Sequence, residues 1–248
     1  AHGKSAQPNM SASIMADFEF DCPPLDEQRA IAEILGAFDD KIAANNDLMK
    51  TVRALCQAQF DELLRGETSI VPLRTVLHLE YGKSLPLAKR VNGNINVFGS
   101  GGIVGSHSEA LRTGPGVIVG RKGSVGSVYW SDKDYFPIDT TFYVVPRSSD
   151  VSLIFCYHLL DSLPLSDMNS DSAVPGLNRE EALSLPVRLP EIQPLTGFSK
   201  QAEKLFSFIN QLSQENLSLI SARDALLPQL ISGKMRVRDA EAVVADVL

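Results

Sequence analysis

Apolar side chains recur at steps of three and four over two long stretches of the chain. In residues 26–64 they fall at Ile31, Leu35, Phe38, Ile42, Met49, Val52, Cys56 and Leu63, with the polar Asn45 and Gln59 filling the two gaps. In residues 194–232 the same rhythm runs through Phe198, Ala202, Leu205, Ile209, Leu212, Leu219, Leu226 and Leu230, with Asn216 and Arg223 interposed. This stepping is a heptad seam, which lays one helix along another. The helix limits are marked as well. Pro23 and Pro24 precede the first, and Asp26 and Glu27 stand where the helix dipole is positive. Arg65-Gly66 closes the first helix and Gly233 the second. Each helix would be about 58 Å long at 1.5 Å per residue.

Every position of the second seam is a position of the first displaced by 167 residues. The displacement extends beyond the helices: SAQPNMS at 5–11 matches SAVPGLN at 172–178, Pro23 matches Pro190 and Gly66 matches Gly233, with no gap. The chain therefore carries an internal repeat. A seam this long rarely wraps a compact core and calls for a partner helix, and the other copy is within the same chain. Residues 67–190 are long enough to form a domain that returns the chain near its starting point, leaving the helices antiparallel. Leu205 and Ile209 occupy the repeat positions of Phe38 and Ile42, so these four are expected to be buried together. Asn45, Gln59, Asn216 and Arg223 are expected to help set the register.

Between the helices the pattern changes to short β-branched and aromatic runs bounded by Gly, Pro, Asp and Ser: VPLRTVLHL, NVFGS, GVIVG, SVGSVYW and TTFYVVP. Residues 152–163, SLIFCYHLLDSL, predict a short helix, and LNREEALSLPV a helical turn leading into a last strand. The fold class predicted is α+β: one mixed, mainly β domain with a twisted sheet, plus two long antiparallel coiled-coil helices.

Composition narrows the classes. Hydrophobic residues at 44% support a real core, and no apolar run approaches a membrane span. The first residues, AHGKSAQPN, lack the apolar core of a signal peptide. Cys22, Cys56 and Cys156 are odd in number and far apart, which suits free thiols in a reducing cytoplasm, and the cysteines and four scattered histidines form no zinc-binding pattern. The net charge of −7 is unevenly spread. Residues 83–147 hold eight Lys/Arg against four Asp/Glu, whereas 150–188 hold two against six and 26–65 five against eight. A modestly basic region thus lies between two acidic ones.

The basic region contains GRKGSVGSV at 120–128, a glycine-rich loop with two adjacent cations. It is not a Walker A loop, because Lys122 precedes Gly123-Ser124 and no long helix follows. No dinucleotide glycine fingerprint, G-x-S-x-G elbow or carboxylate-and-lysine nuclease cluster occurs. DCPPL at 21–25 has the wrong residues for an amino-methyltransferase motif. The chain reads as a binder without catalytic residues, resident metal or cofactor. YGKSLPLAKR at 81–90 and FGSGGIVGSH at 98–107 repeat the mixture of glycine, cation and hydroxyl in what the pattern predicts as turns. Glycines let backbone amides approach phosphate oxygens, and Lys/Arg neutralise them. Arg121 or Lys122 could instead reach guanine in a major groove. The candidate DNA-contacting residues are Lys83, Ser84, Lys89, Arg90, Ser100, His107, Arg121, Lys122 and Ser124.

Four stretches together resemble the specificity (S) subunits of Type I restriction–modification systems. PPLDEQRAIAEILGAFDDKIAANN resembles the start of that family's central conserved helix, and SARDALLPQLISGKMRV its C-terminal one, including Pro228. YGKSLP, FGSGGIVGSH, GPGVIVGRKGSVGSVYW and PIDTTFYV are together similar to a target recognition domain, and SAQPNMS and SAVPGLN to the tails that close two such domains. The resemblance implies a non-catalytic, cytoplasmic subunit. Its recognition domain would read half of a bipartite site in double-stranded DNA. Methyltransferase (M) subunits would dock on its helices and use S-adenosylmethionine for N6-adenine methylation. Restriction (R) subunits would add ATP-driven translocation and cleavage. It divides the chain into the tail of a preceding recognition domain (1–22), a spacer helix (23–66), a recognition domain (67–190), a second spacer helix (191–233) and a C-terminal tail (234–248). With one recognition domain where S subunits have two, the chain is expected to act as a half-subunit, as a homodimer or paired with another half. The competing reading is a coiled-coil interaction scaffold with no DNA specificity.

Overall fold

The computed structural model describes residues 16, 22–168 and 176–247. Helix α1 spans Leu25–Arg65, 41 residues, opening where the Gln28 amide donates to the Pro24 carbonyl and ending before Gly66. Helix α4 spans Ile192–Ile231, 40 residues, and is closed by Gly233 in the left-handed conformation with φ of 66°. The two start 167 residues apart, as the repeat requires. No position of either predicted seam is exposed. The stretch 5–11 lies outside the described residues, as does most of its counterpart at 172–178.

The chain folds as two units, and α1 and α4 each contribute to both. One unit comprises residues 1–48 and 212–248. In it Ile31, Ile34 and Phe38 of α1 pack with Leu219, Leu226 and Leu230 of α4, and with Ala240 of helix α5, Val237–Val247. Residues 234–248, expected as a tail, thus include a helix whose Ala240 enters this core. Asn45 donates to Asn216 (Nδ2 to Oδ1, 2.9 Å), and Asn216 donates to Asn46 (Nδ2 to Oδ1, 3.0 Å). Arg223 bonds to Asp39, and Lys41 pairs with Glu215 at 3.2 Å. Numbers fall along one helix as they rise along the other, so the helices run in opposite senses here. That antiparallel sense was expected, but it is incompatible with the expected burial of Phe38, Ile42, Leu205 and Ile209 together, and Ile209 falls in the other unit. Phe38 and Ile42 lie in this core, whereas Leu205 packs in the other unit. In helices running oppositely, equivalent repeat positions recede from each other instead of meeting.

The second unit, residues 49–211, holds the inner domain. Strand β1 (Thr68–Pro72) pairs antiparallel with β9 (Pro186–Pro190) in a two-stranded ribbon. A four-stranded antiparallel sheet has the order β2-β8-β5-β6, with β2 Leu77–Tyr81, β5 Gly116–Gly120, β6 Val128–Ser131 and β8 Thr141–Pro146. A three-stranded sheet has the order β4-β3-β7, with β3 Ile95–Gly99, β4 Gly102–His107 and β7 Tyr135–Pro137; β3 and β7 are parallel. Among the described residues, three separate sheets therefore replace the single twisted sheet expected. A helical turn at Leu73–Thr75 splits the run VPLRTVLHL into β1 and β2. FGSGGIVGSH, expected as a polar turn, is mostly the β3–β4 hairpin, because its alternate residues pair across the ladder from Gly99–Gly102 to Ile95–His107.

The four-stranded sheet is apolar on both faces. Val117, Val119, Phe142 and Val144 face the main core, with Phe155 and Leu159 of helix α2 (Leu153–Asp161), Cys56 and Phe60 of α1, and Phe198, Ala202 and Phe206 of α4. Ile118 faces the other way, onto Phe98 and Tyr135 of the smaller sheet. The short helix α3, Arg179–Ser184, begins where Asn178 Oδ1 accepts from the Glu180 and Glu181 amides. Among the described residues no helix is long and apolar enough to cross a membrane.

Two expected outcomes follow from the buried polar groups. Asn216→Ala removes the partner of Asn45, which is 3% exposed, and should cost about 1–3 kcal/mol. Replacing Asn45 and Asn216 together with leucine should cost less than the single change while loosening the pairing register; urea melts of both variants make the comparison. His158, 4% exposed, sits among Phe60, Phe198 and Phe206, with Nδ1 2.7 Å from Gln57 Oε1. Burial pulls its pKa from 6.5 down to about 4, against a smaller upward pull from Asp61. The unfolded chain therefore takes up this proton first. Stability should be level above pH 6.5 and fall by about 3 kcal/mol as pH drops towards 4. Urea midpoints across that range should lose most of this slope in His158→Gln.

Candidate nucleic-acid interface

Four segments meet at one end of the four-stranded sheet. Where β2 ends, the Gly82 amide donates to the Thr141 carbonyl at 3.1 Å and the Lys83 amide to the Pro137 carbonyl at 3.0 Å. Position 82 must be glycine, since a Cβ there would lie 2.1 Å from the Ile138 carbonyl oxygen. In the β5–β6 loop the Arg121 and Lys122 amides both donate to the Thr140 carbonyl, at 2.9 and 3.2 Å. The loop turns through Gly123 and Gly126, with φ of 82° and 76°, and is pinned by buried Val125. The β3–β4 hairpin tip joins it, because Tyr129 Oη donates to the Ser100 carbonyl at 3.1 Å. A Cβ on Gly123 would lie 3.1 Å from Ser100 Oγ, and one on Gly101 3.9 Å from Ser124 Oγ. Finally, the Leu177 amide donates to the Arg121 carbonyl at 2.8 Å, and Lys122 bridges to Gly176.

This arrangement brings Lys83, Ser100, Arg121, Lys122 and Ser124 together. Ser84 is exposed beside Lys83, and Lys89 is exposed in the helical turn Leu87–Lys89. Neither Lys83, Lys89 nor Lys122 has an ion pair among the described residues. Arg90 and His107 are occupied differently. Arg90 donates Nη1 to the Val104 carbonyl at 2.7 Å and Nε to the Leu85 carbonyl at 3.3 Å, clasping the hairpin to residues 85–90. His107 is buried, accepts the Val91 amide on Nδ1 at 3.1 Å and meets the Phe136 ring edge-on. Its place on the closing pair of the β3–β4 ladder turns it inward.

Much of the glycine-rich loop's backbone is already committed. The amides of Gly120, Arg121, Lys122, Val125 and Gly126 are already given to carbonyls of the chain. What the loop presents outward is side chains: the exposed Lys122 and Ser124 and the half-buried Arg121. Two residues outside the predicted set join them. The Arg121 and Arg179 guanidinium carbons each lie 5.1 Å from the centre of the Tyr81 ring. Tyr81, Arg121, Lys122 and residues 176–180 line a cleft of about 420 Å³. Tyr81 was legible only as the first residue of the predicted turn YGKSLPLAKR and Arg179 only as a helix start. No local signal links positions 81, 121 and 179, because their meeting depends on the order of the strands.

Residues 1–54 match the family described as Type I restriction modification DNA specificity domain. No curated protein sequence matches the chain. Among solved structures, the Type I restriction-modification system S subunit from M. genitalium shares 22% identity and superposes with a TM-score of 0.65, over 84% of this chain and 61% of that one. The HsdS subunit from Thermoanaerobacter tengcongensis, at 17% identity over 86% of this chain and 60% of that one, superposes loosely, with a TM-score of 0.42. The chain thus spans about three-fifths of the length of these structures. In sequence over residues 1–54, and in fold over most of its length, the chain is similar to the specificity subunits of Type I restriction–modification systems.

Proposed function

We propose that this chain reads DNA sequence for a Type I restriction–modification complex and catalyses nothing itself. Its recognition domain, residues 67–190, reads one half of a bipartite site. The observation that carries this reading is the convergence of Lys83, Arg121 and Lys122 with Ser100 and Ser124 at one end of the sheet, on a chain whose net charge is −7. Cations gathered at one place on an acidic protein suit a polyanion, and the hydroxyls among them can bond to phosphate or base edges. Helices α1 and α4 pair as an antiparallel coiled coil that carries methyltransferase subunits, and restriction subunits join through the assembled complex. Exposed Leu217, Leu227 and Ile231 on α4 suit protein partners there.

One such domain reads only a few base pairs, too few to single out a site among genomic competitors. The working complex therefore holds two recognition domains, supplied by a second copy of this chain or by another half-subunit. The exposed apolar side chains of α4 also favour a second reading, a coiled-coil scaffold with no DNA specificity.

Filter binding of the full chain to genomic DNA fragments separates the two readings. The unsubstituted chain should retain a subset of fragments. Arg121→Ala with Lys122→Ala should weaken retention by roughly tenfold to a hundredfold at low salt, with the circular dichroism spectrum unchanged. Equal retention of all fragments, or none, favours the scaffold. In cells holding the matching methyltransferase, the methylated site should consist of two parts separated by a fixed gap, with inverted identical halves if two copies pair. A single contiguous short motif would rule out the paired arrangement.

A further inference from the structure

The cleft beside the β5–β6 loop carries an unbalanced charge. Two guanidiniums rest on one ring, so their carbons are separated by at most twice 5.1 Å. Lys122 adds a third cation at the rim. The counter-charge in the lining is Glu180, whose Oε1 accepts from both Nε (3.2 Å) and Nη2 (3.1 Å) of Arg179. Arg121 has no carboxylate partner among the described residues. Its Nε is buried and without a hydrogen-bond acceptor among them, a state that costs free energy until an acceptor arrives. Like charges so close are likewise relieved by an anion between or beside them.

The Tyr81 ring is what holds the pair. It is 49% exposed and packs against Phe142, with ring centres 5.0 Å apart, while Phe142 lies in the core. Arg121 also approaches Phe142, at 5.9 Å. A guanidinium held over a ring can offer its remaining N–H groups to an outside acceptor and loses little rotamer freedom on binding one, although in Arg179 Glu180 already takes Nε and Nη2. The planar N–H fork fits two oxygens of a phosphate.

We infer that Arg121 and Arg179, positioned by Tyr81, grip one phosphate of the DNA backbone in this cleft and so set the register of the recognition domain on the duplex. This rests on the DNA-reading function proposed above and adds two residues to it: Arg179, which touches the phosphate, and Tyr81, which positions both arginines. Glu180 opposes the grip.

The test is the salt dependence of affinity, measured with the full chain and a retained DNA fragment, since each phosphate contact adds about one to the slope of log affinity against log salt. Arg179→Ala should weaken binding roughly tenfold at low salt and make the slope shallower by about one. Tyr81→Leu should have a similar effect and Tyr81→Phe almost none, because the ring is what matters. Glu180→Gln should tighten binding roughly threefold. Thermal melts serve as the folding control. Unchanged affinity in Arg179→Ala and Tyr81→Leu would overturn the inference. So would a loss confined to one DNA sequence with the slope intact, which marks base reading. If the unsubstituted chain binds no DNA, the DNA-reading function itself falls. If it binds and these variants bind equally well, only the phosphate grip falls.

Discussion

The ribbon of β1 and β9 is the constraint on which the arrangement of the second unit depends. Five residue pairs, from Thr68–Pro190 to Pro72–Pro186, close the inner domain into a loop whose ends lie side by side. Bringing together the ends of so long a segment costs entropy, though the cost grows only slowly with length. The backbone ladder offsets part of it, and Arg188 adds to it by donating Nη1 to the Leu64 carbonyl at 3.2 Å, capping the last turn of α1. The end of α1 and the start of α4 are thereby held together. Cys56 and Phe60 can then share a core with Phe198, Ala202 and Phe206. A chain that leaves a place along one helix and returns to it along another has little choice but to reverse direction.

The four-stranded sheet gives both its faces to packing. Its faces are buried, one in the main core and one against the smaller sheet, so neither is available to a ligand. What remains open is the end where the strands turn. The glycines at that end serve the packing of segments against one another: Gly82 against the Ile138 carbonyl, and Gly126 where a Cβ would come within 2.4 Å of the Leu165–Ser166 backbone. Most amides of the β5–β6 loop hold the loops together, and the side chains it turns outward are the exposed Lys122 and Ser124 and the half-buried Arg121. Tyr81 joins the two regions, since its ring packs on core Phe142 and carries Arg121 and Arg179 on its exposed part.

In the first unit, the polar positions of the seam behave as a register device. Asn45, Asn46 and Asn216 satisfy one another, and Arg223 reaches across to Asp39. A shift of either helix would break these bonds while leaving apolar side chains against one another, which is how a buried amide discriminates between registers that apolar contact alone would accept. Gln59 departs from this scheme: its Oε1 is buried and finds no partner among the described residues.

The sequence by itself determined the helices. Seam, limits and the repeat distance of 167 were all legible, because helix periodicity, proline and glycine signals and heptads act over a few residues. Most of the short strands were legible as β-branched runs for the same reason, as was the loop character of GRKGSVGS, whereas β4 read as a polar turn and β7 fell in none of the runs. The antiparallel sense was expected, but only the tertiary structure decided which seam positions face each other, because the level at which the helices meet is set by how the inner domain returns the chain; Phe38 and Leu205 are equivalent in the repeat and yet lie in different units. It also decided the site. Arg90 and His107 have the chemistry of DNA contacts, but the β3–β4 hairpin places carbonyls on the one and buries the other. Tyr81 and Arg179 stand beside Arg121 through the order of the strands, which no local pattern encodes.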